Sequence, residues 1–194
     1  AAQLSGDEKA AGKFFEAMSE RPDSDTKYLG LHGQLSQAVQ AGDSEGALEL
    51  AEKARDLKPK TDSVTTTLFD LQVKNGNWAE AEETVRKMVR AKHLDAEDGR
   101  ARRAALLYQE SVEAEREGRL GDALGLVQKA NGLVSGFVPA AVRVARLLAG
   151  AGKRRKAVAV IEEAWVSNPH PYLVEVMEEM STGTGAQEHI SAIE

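Results

Sequence analysis

One short turn recurs along this chain at a near-constant interval. Gly42-Asp43, Gly76-Asn77, Gly118-Arg119 and Gly152-Lys153 are separated by 34, 42 and 34 residues, and Gly6-Asp7 precedes Gly42 by 36. Five residues after each glycine stands an alanine: Ala11, Ala47, Ala81, Ala123 and Ala157. Four further on come Phe15, Ala51, Val85, Val127 and Ile161, and three beyond those Met18, Ala54, Met88, Ala130 and Ala164. That spacing marks one face of a helix. A turn-plus-helix unit repeated about every 34 residues is the mark of stacked helix pairs. The longer interval is the same unit with eight residues inserted.

Each position has a physical reason. Glycine can adopt a positive φ and so end the first helix of a pair. Alanine lets the second helix approach closely, and the residues four and seven further on extend the buried stripe. Proline then closes the unit at Pro59 and Pro169, and at Pro22 for the partial first copy. This reproduces the second half of the tetratricopeptide pattern. The first half lacks the usual Trp, Gly and Tyr, but Leu31, Leu68, Leu107 and Val144 supply its apolar side.

The expected fold is therefore all-α: a tetratricopeptide-repeat-like α-solenoid of antiparallel helix pairs, about ten helices in number. They are placed at 7–19, 26–40, 44–58, 61–75, 78–91, 97–117, 120–133, 138–150, 154–167 and 171–180. The solenoid spans 1–181, with repeats at about 1–22 (partial), 28–61, 62–95, 104–137 and 138–171. The insertion near "AKHLDAEDG" reads as a loop before a longer helix. Residues 182–194 read as a flexible tail or a truncated next element. The first helix lacks its pair, so Phe14 and Phe15 must pack onto the next pair or lie exposed. The chain reads as a fragment of a longer protein.

The sequence offers no catalytic constellation. There is no cysteine, which removes disulfides, thiolate metal sites and cysteine nucleophiles. The four histidines, His32, His93, His170 and His189, are scattered, with no HExxH pair. "STGTG" lacks the lysine of a phosphate loop. Adjacent glutamates such as Glu82-Glu83 and Glu162-Glu163 diverge on a helix and do not pair for acid–base work. No apolar run approaches the roughly 18 residues that suggest a membrane span. No enzyme is expected, and no cofactor, with haem or porphyrin as the exception to test through His32, His93 or Tyr108.

Two sets of residues are candidates for contact with partners. The repeat register lines a groove along the first helices with His32, Ser36, Gln40, Thr66, Asp70, Lys74, Tyr108, Gln109, Arg143 and Arg146. The Lys and Asn set with which chaperone-binding members grip a peptide carboxylate is missing from it. The second set is Lys153, Arg154, Arg155 and Lys156 at a helix N-terminus, where the helix dipole disfavours cations. It suits an anionic membrane surface or acids on a partner. Nucleic acid is disfavoured, because the net charge is −6 and aromatics do not interleave with the basic residues.

Three stretches carry a family resemblance. They are "FFEAM" followed by "TKYLGLHGQL", then "LFDLQVKNGNWAEAEETVRKM", then "GFVPAAVRVARLLAGAGKRRKAVAVIEEAWVSNPHPYL". Together they cover about Phe14 to Leu173, and the chain resembles the HemY family, tetratricopeptide membrane proteins of proteobacteria associated with haem biosynthesis. The resemblance implies a non-catalytic scaffold that organises late haem-biosynthetic enzymes. It also implies a bacterial inner-membrane location through transmembrane segments not contained in this chain, with the repeats facing the cytoplasm. The alternative is a generic tetratricopeptide adaptor for envelope assembly or peptide binding. No binding residues carry over from the family.

Overall fold

Four ruler glycines adopt the left-handed backbone that their role requires: Gly42, Gly76 and Gly152 have φ between 72° and 75°, and Gly118 has 79°. Each closes its helix in the same way. At Gly42 the glycine N–H donates to Val39 O at 3.2 Å and the next residue, Asp43, donates to Ala38 O at 3.0 Å. The same pair of bonds recurs at Gly76, Gly118 and Gly152. Two otherwise orphaned carbonyls are thereby satisfied at each turn.

The computed structural model describes residues 8–59 and 61–191. Among these are ten α-helices: α1 (Glu8–Ser19), α2 (Ser24–Ala41), α3 (Ser44–Leu57), α4 (Asp62–Lys74), α5 (Trp78–Arg90), α6 (Ala96–Arg116), α7 (Leu120–Leu133), α8 (Val138–Gly150), α9 (Arg154–Ser167) and α10 (Pro171–Ser191). No strand occurs among the described residues. The expected class, all-α stacked pairs of tetratricopeptide type, is the observed one. The chain divides into unit 1, Ala1–Asp95, and unit 2, Ala96–Glu194, the division falling in the inserted segment.

The alanine register is the buried register. Ala47, Ala81, Ala123 and Ala157 are wholly inaccessible, as are Ala51, Val85 and Val127 four positions on. Leu31, Leu68, Leu107 and Val144 are buried on the first helices. In unit 1 the core gathers Leu35, Ala47, Ala51, Leu68 and Leu71, beside a cluster of Tyr28, Leu31, Ala54 and Val64. In unit 2 one cluster runs from Ala104 on α6 through Val127, Val144 and Ile161 to Leu173 and Val176 on α10.

The structure adds three features and corrects two boundaries. Lys92, at the end of α5, holds φ +61°, with its N–H on Val89 O and the His93 N–H on Met88 O. It is the glycine turn made by a lysine. Gly30 and Gly33 of α2 receive α1, because a Cβ on either would overlap the backbone or ring of Phe15. Phe15 is thus packed, whereas Phe14 is 64% exposed. Trp78 Nε1 is buried with no hydrogen-bond partner. α2 begins at Ser24 and not at 26, because Asp23 caps it, its Oδ1 accepting the Thr26 N–H at 2.8 Å. That bond holds the Asp23 carboxyl below its ordinary value.

α10 continues to Ser191 instead of ending at 180. No proline follows Pro171 to stop it, and glycine weakens a helix without forbidding it. Residues 182–191 therefore continue this helix. The first ruler copy at Gly6-Asp7 and the last three residues lie outside the described residues.

Candidate functional site

Unit 2 holds a concave hollow of about 730 Å³. Its wall comes from α6 (Tyr108, Glu115), α8 (Pro139, Val142, Arg143, Arg146, Leu147, Gly150) and α10 (Tyr172, Glu175). Leu120, Gly121 and Leu124 of α7 and the turn residues Ala151 and Lys153 complete it. First helices thus form most of the wall, as the register requires. Four of the residues singled out in the sequence, Tyr108, Arg143, Arg146 and Lys153, meet there.

Arg143 is fixed by four contacts on α6. Its Nε donates to Ser111 Oγ at 2.9 Å, and Nη2 donates to Ser111 O at 2.9 Å and to Glu115 Oε2 at 2.5 Å. The guanidinium carbon also lies 5.7 Å from the centre of the Tyr108 ring. Tyr108 in turn meets Phe137 edge-on, with ring centres 6.0 Å apart. Ser111 is fully buried and donates to Ala123 O at 2.8 Å, so one hydroxyl joins α6, α7 and α8. Arg146 grips Glu179 through both carboxylate oxygens, at 2.9 and 2.7 Å. This bond raises the Arg146 guanidinium pKa and lowers that of the Glu179 carboxyl.

The two arginines are held by carboxylates of this chain, so their charge is largely answered. The remaining character of the hollow is apolar: Leu120, Leu124, Val142 and Leu147, with Leu120 57% and Tyr172 58% exposed at its rim. A mostly apolar surface with a few fixed polar groups is the make-up of a binding hollow.

The other candidates stand apart from this hollow. Gln109 is exposed on α6 and is not part of its wall. On α2, His32 and Gln40 are exposed and Ser36 is half-buried, and on α4 Thr66, Asp70 and Lys74 are exposed. The fourfold spacing puts each trio on one stripe of its own helix. Lys153, Arg155 and Lys156 are exposed, Arg154 is half-buried, and α9 has no side-chain cap. Of the possible haem ligands, His32 lies 6.0 Å from the Tyr28 ring, His93 borders a unit 1 hollow of about 250 Å³, and Tyr108 is in the unit 2 hollow. Among the described residues no three His, Asp or Glu side chains gather as a metal site, and no helix is long and apolar enough to cross a membrane.

Sequence reasoning missed Ser111, Leu120, Val142, Tyr172 and Glu175. The 34-residue register carries Arg143 and Arg146 to Met177 and Met180, so it does not point to Tyr172 or Glu175. Nothing in the sequence marks Ser111 apart from its burial.

The fold and this hollow define a protein of helical-pair repeats. Residues 38–106, a little over a third of the chain, match the tetratricopeptide repeat family. Several solved tetratricopeptide proteins are similar in fold. TTC0263, a thermophilic tetratricopeptide protein of Thermus thermophilus, is 23% identical, with 80% of this chain and 83% of that chain covered and a TM-score of 0.37. YrrB, described as a tetratricopeptide protein with an unusual peptide-binding site, is 17% identical over 87% of this chain and 99% of its own, TM-score 0.37. MamA (41-end) from Desulfovibrio magneticus RS-1 is 15% identical over 84% and 86%, TM-score 0.38. No curated protein matches the chain.

Proposed function

We propose that this chain is a non-catalytic scaffold that captures a peptide segment of a partner protein in the unit 2 hollow. The observation that carries the reading is the hollow's construction. Arg143 and Arg146 are locked by Glu115 and Glu179, leaving an apolar trough between two fixed charge pairs. The fitting segment is an extended one with an apolar or aromatic anchor over Leu124 and Val142. A carboxylate on it would meet Lys153 at the rim.

Fluorescence titration against an array of short peptides tests this. Peptides with an apolar residue beside an acidic one should bind, and binding should fall in Leu120→Asp and Tyr172→Ala, two exposed positions that leave the core intact. Binding that survives both changes would place the site elsewhere. The HemY resemblance points to late haem-biosynthetic enzymes as the source of the segment and to the inner membrane as its setting. Capture of membrane proteins on wild-type chain and on Leu120→Asp, side by side, should recover such enzymes only with the wild type. Loss of that difference would leave the generic adaptor. Direct haem binding is a separate reading, and an unchanged Soret band on mixing would dispose of it.

A further inference from the structure

The two rims of the unit 2 hollow carry opposite charge. Lys153 stands at the α8–α9 turn, and Tyr172 and Glu175 stand near the start of α10. Lys153 and Glu175 are exposed, and among the described residues neither makes an ion pair. This sets them apart from Arg143 and Arg146, whose charges are spent on Glu115 and Glu179. Glu175 also acts through space on the Arg146 guanidinium, which already holds both oxygens of Glu179. Arg146, Glu179 and Glu175 together therefore carry one negative charge in excess. At the other rim Lys153 opens a run with Arg155 and Lys156, both exposed and, among the described residues, also without an ion pair. Arg119, on the turn before Leu120, is bonded to Glu117 and Asp122, a net negative charge that these three cations outweigh.

The separation of the rims follows from the helices. α8 and α10 run the same way, as first helices of successive pairs. Arg146 bonds Glu179, and Glu175 lies one turn nearer the start of α10, level with the turn of α8 that holds Val142 and Arg143. From that level to Lys153, past the end of α8, is about 15 Å at roughly 1.5 Å of rise per residue. An extended chain covers the distance in about four or five residues. Leu147 lies between the two levels. Tyr172 is placed one turn before Glu175 on the same face of α10, so its ring offers a surface for a cation that the carboxylate attracts.

We infer that the segment this hollow takes is bipolar. It carries a carboxylate at the Lys153 rim, an apolar side chain over Leu124 and Leu147, and, about four residues from the acid, a base between the Tyr172 ring and Glu175. The inference rests on the peptide reading of the same hollow and names what that peptide must contain. The trough between the rims holds any apolar side chain, and the two unspent charges select among segments by the order of charge along them.

Fluorescence anisotropy at low salt, on the whole chain, is the test. The peptides are blocked at both ends and have a central Phe with Asp or Arg two places to each side, in all combinations. Wild type should bind at least one mixed peptide about 2–5-fold more tightly than either like-charged peptide, the range of an exposed ion pair. Lys153→Glu should move the preference to the peptide with two arginines, and Glu175→Lys to the one with two aspartates. Both positions are exposed, and circular dichroism should show unchanged helix content. Equal binding of all the peptides, lost in Leu120→Asp, would keep the hollow as the site and overturn the charge order. A preference that neither charge reversal moves would overturn it too. Failure of every peptide to bind wild type would overturn the peptide reading and this inference together.

Discussion

Arg143 Nε reaches across from α8 to the Ser111 hydroxyl of α6 at 2.9 Å, while the same hydroxyl donates to Ala123 O of α7 at 2.8 Å. One buried oxygen therefore holds three helices and aims the arginine at the hollow. Ser111→Ala removes both bonds and leaves the arginine Nε short of a partner, while Ala123 O keeps its place in the helical ladder of α7. A loss of about 1–3 kcal/mol is expected by chemical denaturation. Any peptide affinity should fall modestly with it, because Arg143 loses one of its four anchors and keeps those to Ser111 O, Glu115 and the Tyr108 ring. A variant as stable as wild type would show that the relay is incidental.

The Arg146–Glu179 pair gives a pH dependence with a definite sign. The carboxyl is held below its ordinary value of 4.5 by the guanidinium. A depressed carboxylate stabilises the fold above its unfolded pKa, and that contribution is lost as pH falls through the folded value. Both partners are about half exposed, so the effect is small and screened by salt. The stability difference between wild type and Glu179→Gln should be constant near neutrality and vanish in the acid range below the ordinary glutamate value. A difference that grows on acidification would contradict the assignment.

Lys92 occupies a left-handed position that costs an L-residue energy. Its backbone bonds are those of the glycine turns, so Lys92→Gly keeps them and removes the strain. Thermal melting should show a gain of about 1 kcal/mol. A neutral or destabilising result would mean that the lysine side chain contributes something the turn geometry does not reveal.

Two glycine substitutions should have opposite signs. Gly30→Ala drives a methyl into the backbone of α1, and a cost of about 1–3 kcal/mol is expected from overpacking. Gly125 lies inside α7 with open space around its added Cβ. Gly125→Ala should therefore stabilise by about 0.5–1 kcal/mol through helix propensity. Equal effects from both would refute the close approach of α1 to α2.

The overpacking argument extends to the ruler itself. Ala81 and Ala157 are wholly inaccessible, and enlarging either to Leu should cost about 1–3 kcal/mol in denaturant titrations. Unchanged midpoints would contradict the register.

Much of this architecture was readable because its constraints act on single residues. A glycine at φ near +75° and an alanine between two close helices have few substitutes, so Gly42, Gly76, Gly118 and Gly152 and their alanines stand out. Lys92 did not, because a left-handed lysine leaves no mark in the sequence. Gly30 and Gly33 did not either, since they serve one contact that no other repeat copies. The end of α10 was misplaced because "TGTG" resembles a breaker, though no residue there forbids a helix. At the hollow the polar side chains Tyr108, Arg143 and Arg146 could be picked out by register, and Lys153 by the basic run that it opens. Its apolar surface could not, for Leu124 and Leu147 look like any core residue until the neighbouring helix is seen to leave them partly open.

The Ser111 oxygen serves α7 and α8 at once. Whatever displaces one of those helices is felt by the other, so the two cannot yield one at a time.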